Sequence, residues 1–150
     1  MAAQPMLQLQ LITLLGQKMD EAVYEVILPT TIGEISVFPG HEPLVSLAKP
    51  GVIAVRRQKT DPDTALEYFA TSGGIIEVDP GRVRVLVDEA DHGDDIIEAE
   101  SQKALERALS MRDNAADQVE LEKATQLIDR HQTRLKVAGL RRHQGKTRFK

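Results

Sequence analysis

The chain of 150 residues has room for one ordinary domain, or for a small domain with an appendage. It contains no cysteine, which removes disulfides, zinc–thiolate sites and thiol catalysis together. The formal net charge of −4 conceals an uneven split: from Arg130 onward the chain carries Arg130, Arg134, Lys136, Arg141, Arg142, Lys146, Arg148 and Lys150 without one acid, so the preceding residues hold about −12. The first residues show no basic patch followed by a long apolar core, so no signal peptide is expected. No run approaches the ~18–20 apolar residues of a membrane helix, which predicts a soluble chain that meets membranes only through partners. Aromatics are confined to Tyr24, Phe38, Tyr68, Phe69 and Phe149, too few for a platform that stacks single-stranded nucleic acid.

In chain order, Leu7, Leu9 and Leu11 alternate with Gln8 and Gln10, as a strand with one buried face requires. A second apolar run, Val23, Val26, Ile27 and Leu28, ends at Pro29-Thr30-Thr31. Further short runs follow at Ile35–Phe38, Leu44–Leu47, Val52–Arg57, Leu66–Thr71, Gly74–Val78 and Val83–Val87. Most are bounded by turn chemistry: Pro39-Gly40, Pro50-Gly51, Asp61-Pro62-Asp63, Ser72-Gly73-Gly74 and Asp79-Pro80-Gly81. Many short strands at regular spacing predict a β sandwich, or flattened antiparallel barrel, over residues 1–90.

Composition changes at Asp91-His92-Gly93-Asp94-Asp95, after which helix formers dominate and no proline recurs. Residues 91–150 therefore read as a two-helix antiparallel hairpin with a basic tail. Asp94 or Asp95 is expected to cap the first helix, which would bury Ile97, Ala104, Leu105, Ala108 and Met111. The chain turns near Asp113-Asn114, and Asp117 with Glu120 forms a capping-box start for the second helix. Its apolar stripe, Leu121, Ala124, Ile128, Leu135 and Ala138, is narrow, with His131 at the remaining stripe position. Alanine offers little surface at ~25 cal/mol per Å², so this hairpin should close weakly.

The densest local signal is Gly33–Pro43, a short β run halted by Pro39-Gly40, which presents His41 and Glu42 before Pro43 restarts an apolar run. Gly33-Glu34, Phe38-Pro39-Gly40-His41, Pro43-Leu44, Lys49-Pro50-Gly51-Val52, Ser72-Gly73-Gly74, Glu77-Val78 and Val83–Val87 stand in one order along the chain. In that order and spacing they resemble the ε subunit of the F-type ATP synthase, from about Leu7 to about Leu140. The resemblance implies a non-catalytic rotor subunit whose sandwich joins the γ subunit to the membrane-embedded c-ring. It implies that one end of the sandwich, at Glu34, His41, Glu42 and Pro43, faces the c-ring. It further implies C-terminal helices that fold against the sandwich or extend along the stalk, where they block rotation in the hydrolytic direction. In the extended state, Arg130, Arg134, Lys136, Arg141 and Arg142 would meet the α/β catalytic head and γ. The expected location is peripheral, on the cytoplasmic face of a bacterial inner membrane or its thylakoid or organellar counterpart.

Other chemistry is weakly supported. Asp88, Glu89, Asp91, His92, Asp94 and Asp95 are dense in oxygen ligands, yet a calcium loop begun at Asp88 would need a bidentate glutamate where Ala99 stands. No metal or other cofactor is expected. Ser72-Gly73-Gly74 joins two strands and lacks the strand-to-helix elbow that exposes a nucleophile. Some members of the resembled family bind ATP through Ile/Leu-Asp-x-x-Arg, with another arginine seven positions on. Started at Ile96, that pattern meets Ile97 and Glu100 in place of aspartate and arginine, and only Arg107 matches beyond Ile96 itself. A carboxylate facing phosphate repels it, so no nucleotide site is expected. The competing reading is an interaction module whose basic tail binds an acidic partner, nucleic acid or anionic lipid. A further alternative is an enzyme using the Asp/His cluster with a divalent metal.

Overall fold

The computed structural model describes residues 4–148, with side chains through Gly145. Ten strands form the first part: β1 (Leu7–Thr13), β2 (Gly16–Val23), β3 (Glu25–Thr30), β4 (Gly33–Val37), β5 (Leu44–Ala48), β6 (Gly51–Arg56), β7 (Glu67–Thr71), β8 (Gly74–Asp79), β9 (Arg82–Val87) and β10 (Ala90–His92). Their order is β10-β7-β6-β3-β5-β8-β9-β1-β2, with β4 paired to β3. Strand β3 pairs β6 through Glu25–Ile27 but β5 only through Thr30. The sheet folds over at that strand and makes the two layers of a sandwich. Leu7, Leu9, Leu11, Val26, Leu28, Ile53, Ile76, Val83 and Val85 fill the space between them and are almost wholly buried.

The sandwich and helical hairpin are those expected from sequence, with local corrections. All strand pairs are antiparallel except β1 with β9, which run parallel through Gln8–Ile12 and Arg82–Leu86. Pro29 does not end β3 but lies inside it, where β3 has partly left β6 and needs no further ladder donor. Strand β2 carries no clean alternation, because only Met19 and Val23 are buried and the register slips between Leu11 and Ile12. The sheet also continues through the acidic segment: β10 pairs Ala90, Asp91 and His92 with Thr71, Ala70 and Phe69.

Helices α1 (Glu98–Asp113) and α2 (Gln118–Arg148) pack as an antiparallel hairpin. Asp94 and Asp95 do not cap α1. They form a separate single 3-10 turn, where His92 Nδ1 accepts from the Asp94 amide, and α1 starts uncapped after Ile97. Ile97 is thereby turned outward, 57 % exposed, and Ile96 is buried in its stead. Met111 is also exposed, leaving Ser101 and Ala108 as the buried residues of α1. The α2 start matches its expected box: the Glu120 amide donates to Asp117 Oδ1 and the Glu120 carboxylate accepts from the Ala116 amide, both at 2.8 Å. Along α2, Ala124, Ile128 and Ala138 are buried, while Leu121 is half open. Val137, outside the expected stripe, is fully buried because α2 has a second face packed on β6 and β7.

Candidate functional site

The strand register gives the sandwich two distinct ends. Thr30 pairs Ala48, Ala48 pairs Gly74 and Gly74 pairs Val87, which gathers the β3–β4, β5–β6 and β7–β8 turns at one end. The β1–β2 turn joins them, since the Leu14 amide donates to the Asp88 carbonyl at 3.4 Å. The other end holds the Pro80-Gly81 turn and the loop after β4, tied together by the Gly40 amide donating to the Pro80 carbonyl at 2.8 Å. Gly40 sits at φ +87, a left-handed conformation that a side chain would strain.

The four residues expected to share one contact are divided between these ends. Glu34 is exposed beside the β3–β4 turn, across from Pro29. His41, Glu42 and Pro43 lie at the opposite end, because the five residues of β4 carry the chain across the sandwich between them. His41 is half-buried with Nδ1 2.7 Å from the Glu42 carbonyl, and Phe38 stacks edge-on against Tyr24. The Glu34 end is the more apolar: Leu14, Leu15 and Ile32 stand 80 %, 94 % and 90 % exposed at its turns.

Sequence reading passed over an outward apolar row. Leu47 pairs Ile75, Ile75 pairs Leu86 and Leu86 pairs Ile12, so four strands place apolar side chains side by side. Leu47, Ile75 and Leu86 are all exposed, and Val45 lies two residues along β5. The signal was present as consecutive apolar residues: Leu44-Val45, Ile75-Ile76 and Val85-Leu86-Val87. A strand with one wet face alternates, and these do not.

The acidic segment and the basic helix, read separately from the sequence, meet each other. Arg130 Nε lies 3.0 Å from Glu89 and Arg134 Nε 3.5 Å from Asp91. Arg141 donates to the Gly93 carbonyl at 2.7 Å and pairs with Asp94, and Arg142 lies 3.2 Å from Glu98. Two residues along a strand and four along a helix each advance about 6–7 Å, so Glu89 and Asp91 match the spacing of Arg130 and Arg134. In this docked state Arg130, Arg134, Arg141 and Arg142 therefore face the sandwich and the segment leading into α1. Lys136 is exposed and, alone of the five, makes no ion pair among the described residues. Gly93 marks the closest approach: a Cβ there would meet the Arg141 side chain at 2.6 Å and Val137 at 3.2 Å. Gln144 extends the seam by donating to the carbonyls of Asp63 and Leu66.

Asp91 and Asp94 are thus turned toward arginines, and among the described residues no three acidic or imidazole groups converge as a metal site. Ile97, Glu100 and Arg107 are all exposed on or just before α1. The side chains of Lys146, Arg148 and Lys150 lie outside the described residues. His131 is 9 % exposed on α2. Burial, reinforced by Arg130, Arg134 and Arg107, lowers its pKa below the usual imidazole range, with only Glu89 opposing.

Residues 6–93 match the family model of the ATP synthase delta/epsilon chain β-sandwich domain. The chain belongs to the ATP synthase epsilon-chain family. It is 38 % identical over 107 residues to the epsilon chains of Bordetella parapertussis and Bordetella bronchiseptica, covering 68 % of this chain and 74 % of each relative. The epsilon chain of Bordetella avium is 36 % identical over the same length, 73 % of that relative. Among solved structures, the fold is similar to a chain of the Euglena gracilis mitochondrial ATP synthase OSCP/F1/c-ring assembly: TM-score 0.74, 23 % identity, 92 % of this chain and 84 % of that one. A chain of the Tetrahymena thermophila mitochondrial ATP synthase central stalk and c-ring shares it at TM-score 0.56 and 12 % identity, over 89 % of this chain and 99 % of that one. An epsilon chain is a non-catalytic subunit of the synthase, and no helix among the described residues is long and apolar enough to cross a membrane.

Proposed function

We propose that this epsilon chain links the γ subunit to the c-ring through two different surfaces and restrains ATP hydrolysis through its hairpin. The observation that carries the reading is the outward row Leu47–Ile75–Leu86, with Ile12 beside it, on the outer face of the sandwich. A contiguous apolar face of this kind suits a permanent subunit contact, and it is assigned to γ. The Glu34 end, with Leu14, Leu15 and Ile32, is assigned to the c-ring. His41, Glu42 and Pro43 then point toward the catalytic head.

Chain direction supports this polarity. Strand β10 runs from the Glu34 end toward the His41 end, and α1 then doubles back along α2. Once released, α1 would continue in the β10 direction, away from the c-ring and toward the α/β head. There Arg130, Arg134, Lys136, Arg141 and Arg142 would exchange their intramolecular acids for acidic groups of the head. The complex would sit at the cytoplasmic face of a bacterial membrane, or its organellar counterpart, with this subunit held by its partners.

The assembled enzyme tests the reading in two ways. Charge reversal at Glu34 should weaken c-ring attachment and proton coupling, whereas replacing His41 should leave attachment intact; the opposite pattern would invert the polarity. Deleting residues 117–150 should preserve assembly and synthesis while raising ATP hydrolysis. Hydrolysis at the wild-type rate would leave the hairpin with a purely structural role.

A further inference from the structure

His131 is the one imidazole of α2 that the packing buries without satisfying it. Its Nδ1 has no hydrogen-bond partner, and its neighbours on the same helix are Arg130 and Arg134. Both arginines hold a buried Nε near a carboxylate without a hydrogen bond to it. From the other elements, Arg107 of α1 and Glu89 of the segment before β10 are the charged groups that face His131. Three guanidinium groups and one carboxylate thus surround a site that accepts a neutral ring and resists a cation. An undocked α2 would expose the same ring to water, where a proton costs nothing unusual.

We propose that His131 makes the docking of the hairpin pH-sensitive, so that protonation of its ring at mildly acidic pH drives α2 off the sandwich. The direction follows from linkage. The docked state holds the proton less firmly than the undocked state, so it binds fewer protons and docking strengthens as pH rises. The stabilisation is fully present above the ordinary histidine pKa of about 6.5 and is lost progressively as pH falls below it. The undocked-to-docked ratio rises between pH 7.5 and 5.5, by about tenfold at most, the limit set by a docked ring that never takes the proton. This inference concerns docking alone and holds whether or not a released hairpin obstructs rotation.

NMR of the isolated full-length chain tests it apart from any hydrolysis assay. The His131 ring protons should titrate below the free-histidine value, and a midpoint at or above about 6.5 would overturn the proposal. Exchange-detected populations at the Val137 methyls should show more undocked α2 at pH 5.5 than at pH 7.5. His131→Gln should remove that pH response, whereas His92→Gln, at an imidazole of the segment leading into α1, should retain it. A response that persists in His131→Gln, or vanishes in His92→Gln, would assign the switch elsewhere. Where both populations lie below detection, the wild-type ring midpoint decides, because the two pKa values fix the pH dependence of docking.

Discussion

The sandwich and the hairpin are built from the same chain but held by different forces. Inside the sandwich, leucine, isoleucine and valine side chains such as Leu9, Leu28 and Ile53 are 0–1 % exposed, and each contributes about 1.5–3 kcal/mol by burial. Between the hairpin and the sandwich, the buried apolar residues are Ala70, Ile96, Val137 and Ala138, and within the hairpin they are Ala108, Ala124 and a single larger one, Ile128. Small side chains let α2 lie close to its neighbours but remove little surface from water. Ion pairs from Glu89 to Glu98 supply what burial does not. Exposed pairs contribute only about 0–1 kcal/mol each and weaken with salt. One region is thus a fixed scaffold, and the other is a reversible attachment.

The contrast breaks first at a place where the scaffold itself depends on charge. Glu25 is 7 % exposed and is bridged by Arg56 at 2.7 Å, with Arg56 also reaching Asp63. Arg56→Ala strands a buried carboxylate and should cost about 3–5 kcal/mol, read from urea unfolding. Loss of 1 kcal/mol or less would show that water reaches Glu25 and that the pair belongs with the surface set.

Gly93→Ala is the sharpest separator of the two regions. Its Cβ would push hardest against Arg141, and less against Val137 and the Tyr68 carbonyl of β7, so docking should weaken by about 1–3 kcal/mol while the sandwich loses less. Because the chain has no cysteine, thiol labels can be placed on Lys59 and Gln126 alone and their separation measured directly. An unchanged label distance together with a lowered sandwich melting temperature would contradict the division.

Neutralising Arg130 and Arg134 together, each to glutamine, should have the smallest effect, about 1 kcal/mol or less on docking, and should remove part of its salt dependence. The same label pair reads it between low and high ionic strength. A much larger effect would mean that the two buried Nε groups make these pairs behave as interior charges.

How much of this was legible in the sequence depends on where each signal lay. Alternation in Leu7-Gln8-Leu9-Gln10-Leu11 revealed β1 because one of its faces is dry, and Pro39-Gly40 marked a real turn. Strand β2 stayed hidden, since a polar edge strand with a register slip has no period to read. Strand β10 was masked because it is only three residues long, with Ala90 alone buried and Asp91 turned toward Arg134, too short for a period to show. The seam between acidic segment and basic helix was readable only as two separate charge runs. Their complementarity depends on α2 crossing β7 and β10 in one orientation, a tertiary fact no local pattern carries. The placement of Glu34 with His41 failed for a geometric reason: seven residues apart in sequence meant opposite ends once β4 extended between them.

The parallel pairing of β1 with β9 has a consequence for how the chain reaches this state. On a ribosome, β1 can close a hairpin with β2 almost at once, but its second edge waits for Arg82–Leu86, more than seventy residues later. A pairing this distant closes late and slowly, because the loop entropy precedes any reward. Through most of synthesis, one side of Leu7–Thr13 is therefore an open template, and a nascent chain stalled before Arg82 is the form most exposed to wrong strand partners.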